Sequence, residues 1–175
     1  MSSHPFFSLL LSGAMLLGTK PGFTPQKTFA ADEIIGTMKV EGTKQGVISG
    51  TDRGTASSWT NLTGFTMGSA IVVTKRTDPT SPKIFQAYSA NETLKTVILQ
   101  LLKKTADGKQ VRDRIITLTN VVISKIRRDG QDVNPKSSAS VAAQTEEISF
   151  KYQKIETQNV AASTSTADDW NTSNR

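Results

Sequence analysis

Leu94-Lys95-Thr96-Val97-Ile98-Leu99-Gln100-Leu101-Leu102-Lys103 and the segment after it decide the fold. Side chains of a strand alternate between its two sides, so Val97, Leu99 and Leu101 share one side and Ile98 and Leu102 the other. Asp107-Gly108 comes next, a dipeptide suited to the positive φ of a tight hairpin turn. Arg114 to Arg127 then alternates again, with Ile116, Leu118, Val122 and Ile126 against Ile115, Thr117, Thr119 and Lys125. Two alternating runs around such a turn predict an antiparallel hairpin.

Period 2 continues outward from this hairpin. Met38 and Val40 alternate with Lys39 and Glu41, which predicts a first strand. Gly42, Gly46, Gly50 and Gly54 punctuate a hairpin-like region after it. Trp59 to Leu62 and Ala70 to Lys75 are further strand candidates, and residues 129–144 read as a polar loop. Glu147 to Ile155 is the last strand, with Ile148, Phe150 and Tyr152 facing one way. Ile155 breaks that phase, which predicts a bulge or twist near Lys154. One helix interrupts the strands. Ser81 is its expected N-cap, Pro82 its first helical residue, and Ile84, Ala87 and Tyr88 share a face before Asn91. The expected class is mainly β: an antiparallel barrel or two-sheet sandwich with one short helix beside it. The domain is expected over residues 31–157, and the Ser/Thr/Asn/Asp-rich residues 158–175 are expected to be a mobile tail.

Composition supports this class and excludes several functions. Thr (23) and Ser (18) total 41 of 175 residues, and apolar residues are only 36%, which suits a β domain with a polar coat and a modest core. The absence of Cys excludes disulfides, thiolate metal sites and Cys nucleophiles. The single His, His4, excludes a His-based zinc site. The net charge of +6 is dispersed over Lys75-Arg76, Lys103-Lys104 and Lys125, Arg127 and Arg128. No aromatic residues interleave with these clusters, so they read as solvated strand faces and no nucleic-acid partner is expected.

Residues 6–18 form the most apolar run, too short for the roughly 20 residues a membrane-crossing helix needs but matched to the apolar part of an export signal. Cleavage is expected after Ala30, giving a secreted or periplasmic chain that begins at Ala31, carries no histidine and inserts into no membrane. The alternative is a translation start near Met38, which would leave the chain cytoplasmic until secretion.

Searches for chemistry return nothing that assembles. Gly108-Lys109 lacks the flanking residues of a phosphate-binding loop, and Gly42 to Gly46 lacks the third glycine of a dinucleotide fingerprint. Glu146 and Glu147 are adjacent on a strand, so they point to opposite faces and are expected to be solvated rather than paired. Asp168-Asp169 sits in the expected tail, without rigid geometry for a metal. Asn61, Asn91 and Asn171 open short glycosylation-type matches at a frequency close to chance. With no usable histidine, hydrolysis would need Ser-Lys or carboxylates alone, and no motif supports either. No catalytic, cofactor-binding or metal-binding residue is assigned, and a binding or structural role is expected.

Several segments, in order, resemble the haemolysin-coregulated protein (Hcp) family, the tube protein of type VI secretion systems. They are Met38 to Gly46, Ile71 to Lys75, Ser81 to Ala87, Asn91 to Leu94 and Asp107-Gly108-Lys109. Ile116 to Asn120, Ile123 to Ile126, Glu146 to Ile155 and Asp168-Asp169-Trp170 complete the series, so the match spans about residues 34–170. The resemblance implies a small β-barrel of two sheets with one flanking helix. It implies hexameric rings that stack into a tube and expulsion through the secretion machine, with effector cargo in the ring lumen in some members and no catalytic residues. The family's long contact loop is expected to be shortened here to Thr63–Ser69, which weakens the clasp between neighbouring subunits. A leader is also unusual for a tube built inside the cell. The second reading is therefore an exported stand-alone Hcp-like domain that binds a protein or glycan, and the third an enzyme of unrecognised type.

Overall fold

The computed structural model describes residues 33–48, 50–52, 55–134, 136 and 144–169. The expected leader over residues 1–30 with His4, its cleavage site before Ala31, and the Trp170 and Asn171 segment lie outside those residues, as does the 137–143 part of the expected loop.

Strands dominate because β-branched and Thr-rich segments alternate around short turns. In chain order they are β1 (Gly36–Gly42), β2 (Gly46–Ile48), β3 (Gly50–Asp52), β4 (Thr55–Ser57), β5 (Thr60–Leu62), β6 (Gly64–Met67) and β7 (Ile71–Arg76). The helix α1 (Ser81–Ser89) follows, then β8 (Leu94–Lys104), β9 (Gln110–Arg128), β10 (Gln131–Asp132), β11 (Thr145–Asn159) and β12 (Thr164–Asp169). Ten of these strands form one antiparallel sheet in the order β2-β1-β8-β9-β11-β7-β6, with β5 on β1, β10 on β9 and β12 on β11. β3 and β4 form a separate two-stranded sheet. Residues 60–67 pair with β1 through β5 and with β7 through β6, so one short segment links opposite ends of the sheet. The expected antiparallel, mainly β class with one helix holds, although the second sheet is only the β3–β4 hairpin.

The β8–β9 hairpin forms as its sequence dictates. Leu99 pairs with Ile116 and Val97 with Leu118, all four fully buried. Gly108 has φ 82°, and the Thr105 amide donates to the Lys109 carbonyl at 2.8 Å to close the turn. Met38, Val40, Ile71, Val73, Ile148 and Phe150 complete the wall of the core, and Ile84 and Ala87 pack the helix onto it.

Four details depart from expectation. On β9 the buried residues are Ile116, Leu118, Val121, Ile123 and Ile126, so the phase slips twice. The first slip is at Asn120, whose φ is 50° and whose side-chain Nδ2 donates to Gln153 Oε1 at 2.7 Å; on β11 Tyr152 and Ile155, three residues apart, both pack against the core. The second is a bulge at Ser124: Ser149 pairs with Lys125 while Phe150 pairs with Ile123. The helix cap is Thr80 rather than Ser81, with no side-chain capping bond, because Ser81 turns inward. Thr63–Ser69, expected to be a shortened contact loop, is mostly the paired strand β6, since Gly64 to Met67 follow the register of β7. Residues 158–169, expected to begin a loose tail, form the end of β11 and all of β12, paired from Lys154↔Asp169 to Asn159↔Thr164. Thr and Ser suit an exposed strand, and composition alone does not separate this from a tail.

Candidate functional site

Lys75 and Glu146, both expected on solvated faces, are instead the centre of a buried ionic cluster. Lys75 follows Ile71 and Val73 on the inward side of β7, and Glu146 precedes Ile148 and Phe150 on the inward side of β11. Lys75 is 0% exposed and Glu146 2%. Lys75 Nζ lies 3.1 Å from Glu146 Oε2 and 3.1 Å from Asp78 Oδ1, and donates to Ser81 Oγ and the Arg76 carbonyl at 2.8 Å each. Ser81 Oγ donates to Glu146 Oε2 at 2.6 Å and accepts from the Asp78 amide at 3.0 Å. Arg128 Nε donates to Glu146 Oε1 at 2.9 Å, and its guanidinium lies over the Phe85 ring, 5.2 Å from the centroid. Burial raises the Asp78 pKa, but hydrogen bonds from Thr60 and Thr80 and the charge of Lys75 outweigh it and hold the carboxyl below the usual aspartate range.

This is the nearest approach to a Ser-Lys pair, and its geometry argues against nucleophilic chemistry. A base for Ser81 must be a free amine facing the hydroxyl proton. Here the Ser81 proton goes to Glu146, the lysine nitrogen faces two carboxylates, and both residues are closed off from substrate. The cluster ties β7, α1, β9 and β11 together. Breaking one member of such a buried pair costs about 3–5 kcal/mol, because the remaining charge is stranded.

Two of the segments that resemble the Hcp family, Met38 to Gly46 and Asn91 to Leu94, meet at a second carboxylate. Glu92 is 3% exposed and accepts from the Lys44 amide at 2.7 Å and the Gln45 amide at 3.1 Å, in the turn between β1 and β2. Burial raises its pKa, and these bonds bring it below the ordinary value. Gln45 Nε2 also reaches the Lys83 carbonyl at 3.1 Å, which fastens the turn to the helix. A Cβ at position 42 would lie 2.4 Å from Glu92 Oε1, so the carboxylate requires Gly42.

The other basic residues do sit on exposed faces, mostly beside acids. Lys103 contacts Asp113 at 3.3 Å, Lys104 contacts Glu33 at 3.4 Å, and Lys125 and Arg127 contact Asp132 at 2.8 and 3.2 Å. Glu147 points away from Glu146 and pairs with Arg127 at 3.1 Å. Asp168 and Asp169 stand on β12. A recess of about 550 Å³ over β9, β11 and β12 is lined by Ile115, Thr117, Glu156, Gln158, Ser165 and Ala167, among others, and holds a single carboxylate. Among the described residues there is no group of three or more metal-binding side chains, and no helix is long and apolar enough to cross a membrane. What remains exposed and regular is strand: the broad outer face of the sheet and its edges at β2, β6 and β12.

Comparison with known proteins agrees with this picture of a strand-built surface. A family described as "Type VI secretion system effector, Hcp" matches residues 29–158. The solved structure of secreted protein Hcp3 from Pseudomonas aeruginosa is similar with a TM-score of 0.64 and 24% identity, over 79% of this chain and 99% of that one. Hcp1 from the E. coli EAEC 042 pathovar gives a TM-score of 0.60 at 17% identity, over 79% and 99%. Hcp1 from Salmonella typhimurium gives 0.56 at 13%, over 78% and 96%. No curated protein matches the sequence significantly.

Proposed function

The chain belongs to the Hcp family of the type VI secretion system, and from that premise we propose that it is a non-enzymatic structural subunit whose copies form hexameric rings. In this reading the rings leave the cell through the secretion machine, and their partners are further copies of the chain, machine components and small effector cargo. Residues 1–30 are a leader removed before Ala31. The observation that carries the reading is the extent of the family match. It runs over residues 29–158, from ahead of β1 almost to the end of β11, and so takes in the whole core.

The chemistry of the described residues is consistent with a structural role. Ionisable groups inside the domain are held by one another, as in the Lys75–Glu146–Arg128 cluster, or by backbone amides, as in the Glu92 clamp. The outward positions of β1, β8 and β9 mix Thr37, Lys39, Glu41, Thr96, Gln100, Thr117 and Thr119 with the half-buried Ile98 and Ile115, and open edges flank them. Electron microscopy of the purified full chain tests the reading. Six-fold rings support it. Uniform monomers at every concentration, in a sample that is folded by circular dichroism, contradict it.

A further inference from the structure

Two Asp-Gly dipeptides stand in turns at the two ends of β9, Asp107-Gly108 ahead of it and Asp129-Gly130 behind it. In such a pair the aspartate carboxyl is open to attack by the next backbone nitrogen, because glycine has no side chain to shield that nitrogen. Both pairs are exposed, and Gly108 and Gly130 have nearly the same φ, 82° and 80°. Access to water and the glycine conformation therefore do not separate the two. The groups that hold each carboxylate do.

Among the described residues, the contacts of the Asp107 carboxylate lie within its own turn. It accepts from the Thr105 hydroxyl and lies 3.1 Å from Lys109 Nζ, with the two side chains of that ion pair 57% and 80% exposed. The Gly108 amide donates to the Thr105 carbonyl at 2.9 Å. All these partners fall within residues 105–109, at the tip of the β8–β9 hairpin. Fraying of that tip frees the carboxyl and the attacking nitrogen together, without disturbing the core.

Asp129 is held by another strand. Its carboxylate accepts from the Thr145 amide and the Thr145 hydroxyl at 3.0 Å each, and from the Gln144 amide at 3.2 Å. Its own amide donates to the Thr145 carbonyl at 3.1 Å. Next to it, Arg128 pairs with Glu146 and donates to the Glu146 carboxylate at 2.9 Å. Freeing the Asp129 carboxyl therefore means parting the end of β9 from the start of β11.

We propose that Asp107 is a site of spontaneous covalent modification, isomerisation to isoaspartate, and that the fold protects Asp129 from the same change. The Gly108 nitrogen bonds to Cγ of Asp107, a carboxyl C–O bond breaks, and one water leaves to give a cyclic imide. Water then opens the ring at the original backbone carbonyl, and the chain runs on through Cγ. Composition is unchanged, and water is the only co-reactant. The product has one more carbon in the backbone of the turn, so the closure of Thr105 onto Lys109 no longer fits.

Peptide mapping of the full chain, kept folded in mildly acidic buffer and sampled over weeks, reads both sites. Isoaspartate is separated from aspartate by retention and by electron-transfer fragmentation. Conversion at 107 is expected to be at least about tenfold faster than at 129, because the extra hydrogen bonds to Asp129 each reduce its open population several-fold. In urea the two sites are expected to convert at similar rates. A folded chain in which 129 keeps pace with 107 overturns the proposal. So does the same ratio with and without urea, or a 107 that stays aspartate over the time in which the unfolded chain converts there.

Discussion

Glu146→Gln removes one charge from the interior and leaves two cations facing it. The two contacts are 3.1 Å to Lys75 and 2.9 Å to Arg128, with Glu146 2% and Lys75 0% exposed, so solvent screens the Lys75 contact little. At an effective dielectric of about 20, a contact of that length is worth roughly 5 kcal/mol before desolvation. Desolvating the carboxylate takes back several kcal/mol, so the net cost of breaking the pair is about 3–5 kcal/mol. The assay is urea unfolding followed by circular dichroism, at a concentration that keeps the chain monomeric, with the slope compared between variants. A Lys75→Met/Glu146→Leu double variant should cost less than the sum of its single changes, with a coupling of at least about 1 kcal/mol, because neither charge is then left alone. A loss under about 0.5 kcal/mol for Glu146→Gln, the size of a surface change, would refute the reasoning.

Other outcomes follow from the same packing. Phe150→Ala should cost about 3–5 kcal/mol, since Phe150 is fully buried, and Lys151→Ala, on the exposed side, under about 0.5 kcal/mol; equal urea midpoints for the two would contradict the register. Asp78 has a depressed folded pKa, so its contribution to stability is complete above the unfolded value of about 3.9 and is lost as pH falls through the folded one. The stability gap between the parent and Asp78→Asn should therefore be constant from neutral pH to about pH 5 and close only in stronger acid, as read by urea midpoints across pH; a gap that closes near pH 6 would contradict the assignment. N-terminal sequencing of the exported protein should begin at Ala31, whereas a protein retaining Met1 would contradict the leader.

The strand content was legible because apolar period 2 is a direct consequence of a one-sided core. Val97, Leu99, Ile116, Leu118, Ile148 and Phe150 all fall where alternation puts them. The phase slips at Asn120 and Ser124 were less legible, since a bulge or a positive φ leaves no distinctive residue pattern when Asn and Ser are common. The ionic cluster was missed although its signal was present. Lys75 is in phase with Ile71 and Val73, and Glu146 with Ile148 and Phe150. A charged residue in phase with core positions on two different strands is the pattern of a buried pair, but the pairing of β7 with β11 has to be known before the two can be matched. The Glu92 clamp has the same difficulty, because 47 or more residues separate the carboxylate from the amides it holds. β12 was missed for a different reason: both its faces are exposed, so hydrophobic alternation carries no information there.

Self-assembly is tested most directly by sedimentation velocity of the full chain across about a hundredfold range of concentration. A monomer is expected at the dilute end and a hexamer gaining ground as concentration rises, with the boundary shifting back at high salt. A single monomer boundary across the whole range would contradict it.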